Sequence, residues 1–409
     1  MGNLDQGLIP VESHKRAIAV VALGLWSASL TLGALRVMLP VYFASVGVSI
    51  SKIALLFFFF KLSEIFAPAG LGLTLNRLGY RRSFIGALGL HSLLSCLYFL
   101  KPTFALIYLE RFMRGVIGMQ LVSSVYVKHF SRRDEQRFYI NIMDGLKDAA
   151  KGIGMLIGGV LIAVLAFEHS ILVFGLLTAA TTAIALLYLP DLREEARTPV
   201  LKIWGAVDRK IKTLGAARGL LHGAMDGWGV AILPVYLTVV FGLSPALVGT
   251  VMMGEYVFHG VSVALLSRFL HVSWDSRKAL IGCSLLLFPV CLSLALPMPI
   301  YLFLPLIFLY QFFNSGCMVY YNHLKLEFAT EEKTSIDLAT YATLTNAFKP
   351  VAVFASGLLA EAMGFSWAFY FSSLLILLSA LTCLALPKPA SQRAEVGRSY
   401  AGEAIGLNE

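Results

Sequence analysis

Two lysines carry the first chemical signal in this chain. Lys151 lies in Asp148-Ala149-Ala150-Lys151-Gly152-Ile153-Gly154, ahead of Gly158-Gly159. Lys349 lies in Asn346-Ala347-Phe348-Lys349-Pro350, ahead of Ser356-Gly357, and follows Lys151 by 198 positions. A second echo agrees: Leu39-Pro40-Val41-Tyr42 returns as Leu233-Pro234-Val235-Tyr236 after 194 positions. Two echoes with nearly equal offsets divide the chain into related halves. Both lysines sit in stretches apolar enough to cross a bilayer, where a charge costs about 2.5–3.5 kcal/mol at a helix centre on insertion scales. Such a charge faces a partner or a cavity, and related halves with charge at equivalent places are how a secondary transporter is built.

Other charges lie at similar depth. Arg36, between Gly33-Ala34-Leu35 and Val37-Met38-Leu39-Pro40, either snorkels or faces a cavity. Lys61 and Glu64 share a helix face at i, i+3; they neutralise each other, or form a substrate or proton site. Glu110 can pair with Arg111 or with Arg114. Asp144, Lys147, Asp148 and Lys151 share one face at i, i+3 and i, i+4 spacings. Downstream come Arg218 and two acid–histidine pairs at i, i+4, His222/Asp226 and Glu255/His259. Such a pair can be a satisfied polar contact, can carry a proton because imidazole titrates near neutral pH, or can hold a metal. With no cysteine or third ligand at a fixed spacing, no metal site and no cofactor is expected.

The elements that must position these groups are membrane helices. Of 409 residues, 58% are hydrophobic and 14% charged, well below the quarter charged typical of a soluble domain. The expected fold is all-α and polytopic, with twelve transmembrane helices in two pseudo-symmetric six-helix bundles. They run near 16–44, 51–73, 82–100, 103–127, 139–166 and 169–189, then 214–241, 245–270, 278–297, 300–326, 336–360 and 364–386. The expected domains are an N-terminal bundle (1–190), a linker (191–213), a C-terminal bundle (214–387) and a disordered tail (388–409). The net charge of +9 comes from basic residues in short loops, which fits positive-inside topology better than nucleic-acid binding. Lys15-Arg16, Arg77/Arg81/Arg82, Lys128/Arg132/Arg133/Arg137, the linker and Arg277-Lys278 fall on one side, which places both termini in the cytoplasm. Localisation is expected at the cell inner membrane, with the lipid bilayer as partner and the chain as a monomer. All five cysteines lie in apolar stretches and imply no disulfide framework.

Gly72-Leu-Thr-Leu-Asn76-Arg77-Leu-Gly79-Tyr80-Arg81-Arg82 closely resembles the loop motif of the major facilitator superfamily, G-x-x-x-D-R-x-G-x-R-R, between its second and third helices. In that family the acid helps latch the two halves in the outward-facing state. Asn76 stands in its place, which implies a weaker latch, with Gly72, Asn76, Arg77, Gly79, Arg81 and Arg82 as gating residues. Glu110-Arg111-Phe112-Met113-Arg114-Gly115 is similar to the superfamily's R-x-x-Q-G element, with Arg114 at the glutamine position. Arg111 then holds the place associated with proton coupling. Gly154-Met155-Leu-Ile-Gly158-Gly159 looks like a degenerate antiporter element, G-P-x-x-G-G, and favours export or exchange.

Three segments also look like the organoarsenical efflux permeases: Gly33 to Arg36, Gly145 to Gly159, and Ala217 to Leu237. The fourth helix departs from that family, which has a lysine-rich, serine-containing stretch there. This resemblance implies that Arg36, Lys147, Lys151 and Arg218 face the anion. The chain is thus expected to be a secondary active transporter and not an enzyme, working by alternating access. Arg36, Arg111, Arg114, Lys147, Lys151 and Lys349 outnumber the acids Glu64, Asp144, Asp148 and Asp226, so a small organic anion is the expected substrate, such as an organoarsenical or a phosphorylated metabolite. Substrate binding is assigned to Arg36, Arg114, Lys147, Lys151, Arg218 and Lys349; proton coupling to Glu64, Arg111, Asp226, Glu255 and His259. Protons or a counter-anion are the expected coupling ions. A proton-coupled multidrug exporter and a non-transporting receptor or scaffold are the competing readings. No P-loop occurs, so ATP-driven pumping is not supported.

Overall fold

Long apolar runs become helices because a bilayer offers the backbone no hydrogen-bond partners. The computed structural model describes residues 11–117, 119–131, 136–191, 208–269, 275–329 and 334–387; the expected tail and most of the expected linker lie outside them. Thirteen α-helices occur among the described residues. They are α1 Val11–Ser45, α2 Ile50–Leu97, α3 Phe104–Val116, α4 Met119–Phe130, α5 Gln136–Val164, α6 Phe167–Tyr188, α7 Arg209–Gly229, α8 Ile232–Val239, α9 Pro245–Phe269, α10 Ser276–Ser293, α11 Ile300–Phe328, α12 Thr334–Met363 and α13 Phe365–Leu384.

Three places differ from the expected helices. α2 runs through the loop motif, and only Gly79 leaves helical geometry, at φ 78° and ψ 169°. A side chain rarely adopts that φ, so the glycine marks where one crossing ends and the next begins. The expected fourth helix is broken after Val116, where Ile117 turns to ψ 85°. The expected seventh is broken between Gly229 and Ile232, because Pro234 has no N–H for the Val230 carbonyl and its ring crowds that carbonyl. α7 also begins at Arg209, inside the stretch expected as linker, because the Asp208 carboxylate caps it by accepting from the Lys210 N–H at 3.1 Å. α2 therefore makes two crossings, and α3–α4 and α7–α8 one each, for twelve in all among the described residues. Eight spans are long and apolar enough to cross a membrane by length and composition. The other four crossings hold Lys61 and Glu64, Glu110 to Arg114, Lys147 to Lys151, and Lys349.

The chain falls into two compact units, one from the described residues of Met1–Pro199 and Leu233–Tyr256, the other from those of Val200–Ile232 and Val257–Glu409. Within the first, α1 packs on α5, α4 and α6, and α2 on α3 and α6. Within the second, α7 packs on α12, α11 and α13, and α10 on α11 and α13. The second set repeats the first, helix for helix.

Candidate functional site

In the first unit the site starts from a close helix crossing. A Cβ on Gly33 of α1 would collide with the Lys151 backbone carbonyl of α5, and one on Gly154 with the Leu30 carbonyl. A Cβ on Gly158 would stand 2.8 Å from the Ala34 Cα. Small residues four apart let the two backbones touch. Arg36 lies three residues beyond Gly33 on the same helix. α9 closes the same place, since a Cβ on Gly152 would lie 3.8 Å from the Tyr256 Cβ. The Arg36 guanidinium sits 5.8 Å from the Tyr256 ring centroid, within cation–π range. Its Nε is buried with no hydrogen-bond partner, and Arg36 forms no ion pair among the described residues.

Lys151 Nζ reaches Asp148 Oδ1 at 3.3 Å, but that acid's side chain is 54% exposed, so the pair holds the lysine weakly. Lys61 and Glu64 pair with each other at 3.3 Å, and both lie within electrostatic reach of Lys151. Lys147 is half-buried and engaged, and Asp144's side chain lies outside the described residues. Arg36, Lys151, Lys61 and Glu64 thus gather in one unit.

Arg111 and Arg114 are held by an acid of their own helix. Glu110, one turn before Arg114, takes both arginines: Arg111 Nε at 2.6 Å and Nη2 at 3.1 Å, and Arg114 Nε at 2.6 Å. The Tyr98 hydroxyl donates to the same carboxylate at 2.8 Å. Arg114 Nη1 meets His91 Nδ1 at 3.1 Å, and Nη2 donates to Ser95 Oγ at 3.2 Å. Glu110, Arg111 and Arg114 are all buried. Arg114, expected to bind substrate, and Arg111, expected to couple protons, are held together by Glu110 in a buried network. His91, Ser95 and Tyr98 were missed. Their signal was present, since they follow one another at helical spacing, i, i+4 and i+7, along one stripe of α2 and the turn after it.

In the second unit Arg218 is buried, with its guanidinium 5.1 Å from the Tyr321 ring centroid. His222, Asp226 and Lys349 are buried or half-buried and all engaged; Glu255, in the first unit, is likewise buried and engaged. His259 Nδ1 lies 2.8 Å from the Ser315 hydroxyl, which also donates to the His259 carbonyl at 3.2 Å.

Of the loop motif, the side chains of Gly72, Asn76 and Arg77 lie outside the described residues, and Arg82 is exposed. Arg81 Nη2 donates to the Leu186 carbonyl in the last turn of α6 at 2.7 Å. Arg277, at the start of α10, donates in the same way to the Leu386 carbonyl just past α13, at 2.6 Å. Cations suit helix C-termini because the last carbonyls lack partners there. Replacing either arginine with alanine should therefore lower stability by about 1 kcal/mol, read as the melting temperature of purified protein. No change in either variant would reduce both contacts to topology signals alone.

The comparisons with known proteins agree with this architecture. The family model of the Major Facilitator Superfamily matches residues 21–213 and 217–401, so the chain belongs to that family. It is a multi-pass integral membrane transporter of small molecules. No curated protein matches the sequence as a relative. Among solved structures, a bacterial homologue of the human lysosomal transporter Spinster superposes with a TM-score of 0.72 at 12% identity, covering 92% of this chain and 97% of its own. The nucleoside transporter NupG gives 0.71 at 13%, covering 91% and 100%. The human organic anion transporter MFSD10 gives 0.65 at 17%, covering 92% and 100%. At these identities the likeness is one of fold.

Proposed function

We propose that this transporter carries a small organic anion by alternating access, as an exporter or exchanger in the cell inner membrane, with both termini cytoplasmic and the chain acting as a monomer. One observation carries the choice of an anion: Arg36, over the ring of Tyr256, has no acid partner among the described residues. The acid paired with Lys151 in the same unit is exposed. A cation kept in a partly dry place without a counter-charge concentrates anions there, because fields are stronger at low dielectric. Lys147, on α5, adds to the positive charge of the same unit. Arg114 is left out, since its donors are held by Glu110, His91 and Ser95. Glu64, Asp226, Glu255 and His259 supply titratable groups for coupling to protons, with a counter-anion as the other coupling ion. A phosphorylated metabolite or an organoarsenical fits this charge, and one structural neighbour is described as an organic anion transporter.

The test is uptake into proteoliposomes of labelled phosphate monoesters and carboxylates, beside an uncharged nucleoside and a lipophilic cation. Anions should be carried and should compete with one another. Transport of the nucleoside or the lipophilic cation, with none of the anions, would replace this reading with another substrate class.

A further inference from the structure

In the second unit α10 packs on α11, and two cysteines meet at that contact. Cys283 of α10 lies against Gly316 of α11, where an added Cβ would stand 3.3 Å from the Cys283 Sγ and 4.0 Å from its Cβ. Cys317, the next residue on α11, comes to the next residue on α10, with its Sγ 3.6 Å from the Ser284 Oγ. The Cys283 and Cys317 thiols hydrogen-bond each other. Two sulfurs 34 positions apart in the chain are thus in contact. The other cysteines have different neighbours. Cys291 Sγ donates to the Phe369 carbonyl at 3.8 Å, Cys383 Sγ lies 3.4 Å from the Tyr321 hydroxyl, and Cys96 packs on Gly175.

The two thiols differ in access. Cys317 is fully buried, whereas Cys283 is half-buried. Cys283 lies seven residues beyond Ser276, about 10 Å along α10 from the end that carries Arg277 and Lys278. A small uncharged oxidant can enter to that depth. A buried cysteine commonly serves as a small apolar side chain. Two in contact across a pair of helices, one of them accessible, are also an exposed thiol backed by a second that can resolve it.

We infer that Cys283 and Cys317 form an oxidation site, at which a peroxide converts the two thiols into a disulfide that ties α10 to α11. Cys283 gives up its proton and attacks a peroxide oxygen; the O–O bond breaks, leaving a sulfenic acid on Cys283 and releasing water. The Cys317 sulfur then attacks the Cys283 sulfur, forming the S–S bond and expelling a second water. Two thiols and one hydrogen peroxide become one disulfide and two waters, sulfur being oxidised and the peroxide oxygens reduced. A thiol reductant reverses the bond by exchange. The site stands apart from the anion reading, since neither cysteine has a part in it.

The experiment treats full-length protein in detergent with hydrogen peroxide at about one equivalent, then unfolds, alkylates and digests it. A peptide pair joined through Cys283 and Cys317 should appear. Free thiols should fall by two from the five of the reduced chain, and dithiothreitol should restore them. Cys283→Ser should keep all its thiols at the same dose, because Cys317 is buried. Cys317→Ser should instead hold a sulfenic acid at Cys283, trapped by dimedone. Oxidised wild-type protein should melt several degrees above the reduced form, because the bond closes a long loop, and Cys283→Ser should show no such rise. The site is overturned if the wild type keeps five thiols, or if the linked peptides join other cysteines. A rise in melting temperature that survives Cys283→Ser would overturn the tie between α10 and α11.

Discussion

Glu110→Gln is expected to lose about 3–5 kcal/mol of stability, the largest effect of any single change proposed for this chain. The carboxylate accepts from Arg111, Arg114 and Tyr98, and both arginines are buried. Removing its charge leaves two buried cations facing each other with no acid between them. Arg114→Met should cost much less, about 1–2 kcal/mol, because it leaves a balanced Glu110–Arg111 pair and strands only His91 and Ser95, which are neutral acceptors. Yield and melting temperature of the two purified variants give the comparison. If Glu110→Gln melts like the wild type, the network does not hold α3 in place, and Arg111 and Arg114 return to the list of groups that could meet a substrate.

Arg36→Gln and Lys151→Met should do the reverse, folding as well as the wild type and failing to transport. Losing a charge-assisted contact to a bound anion should lower apparent affinity roughly 30-fold or more. Neither change strands a buried acid: Arg36 has none among the described residues, and Asp148 is 54% exposed, so water can solvate it once Lys151 has gone. Lys349→Met should also weaken anion uptake, and the double lysine variant should lose more than either single one. Uptake into vesicles, scaled to folded protein, is the measurement. Poor folding with normal uptake per folded molecule would make these cations scaffolding and remove the main support for an anionic substrate.

Residue order alone was enough for the helical class, the membrane and the two-fold repeat, because a bilayer forces each apolar run to satisfy its own backbone. Gly154 and Gly158, four apart, suit a close helix approach, but that α1 meets them beside Gly33 emerged only from the packing. Helical spacing placed Glu110 on a face with Arg114, but whether it would take one arginine or both depended on what α2 brought alongside. His91, Ser95 and Tyr98 settled that, from a helix that the residue pattern did not link to α3. Arg36 and Tyr256 lie in different halves of the sequence, and Arg81 meets a carbonyl 105 positions away. Periodicity fixes which residues share a helix face. Which neighbour that face meets is fixed by how the helices cross, and so the lack of an acid partner for Arg36 and Arg218 among the described residues emerged only with the tertiary packing.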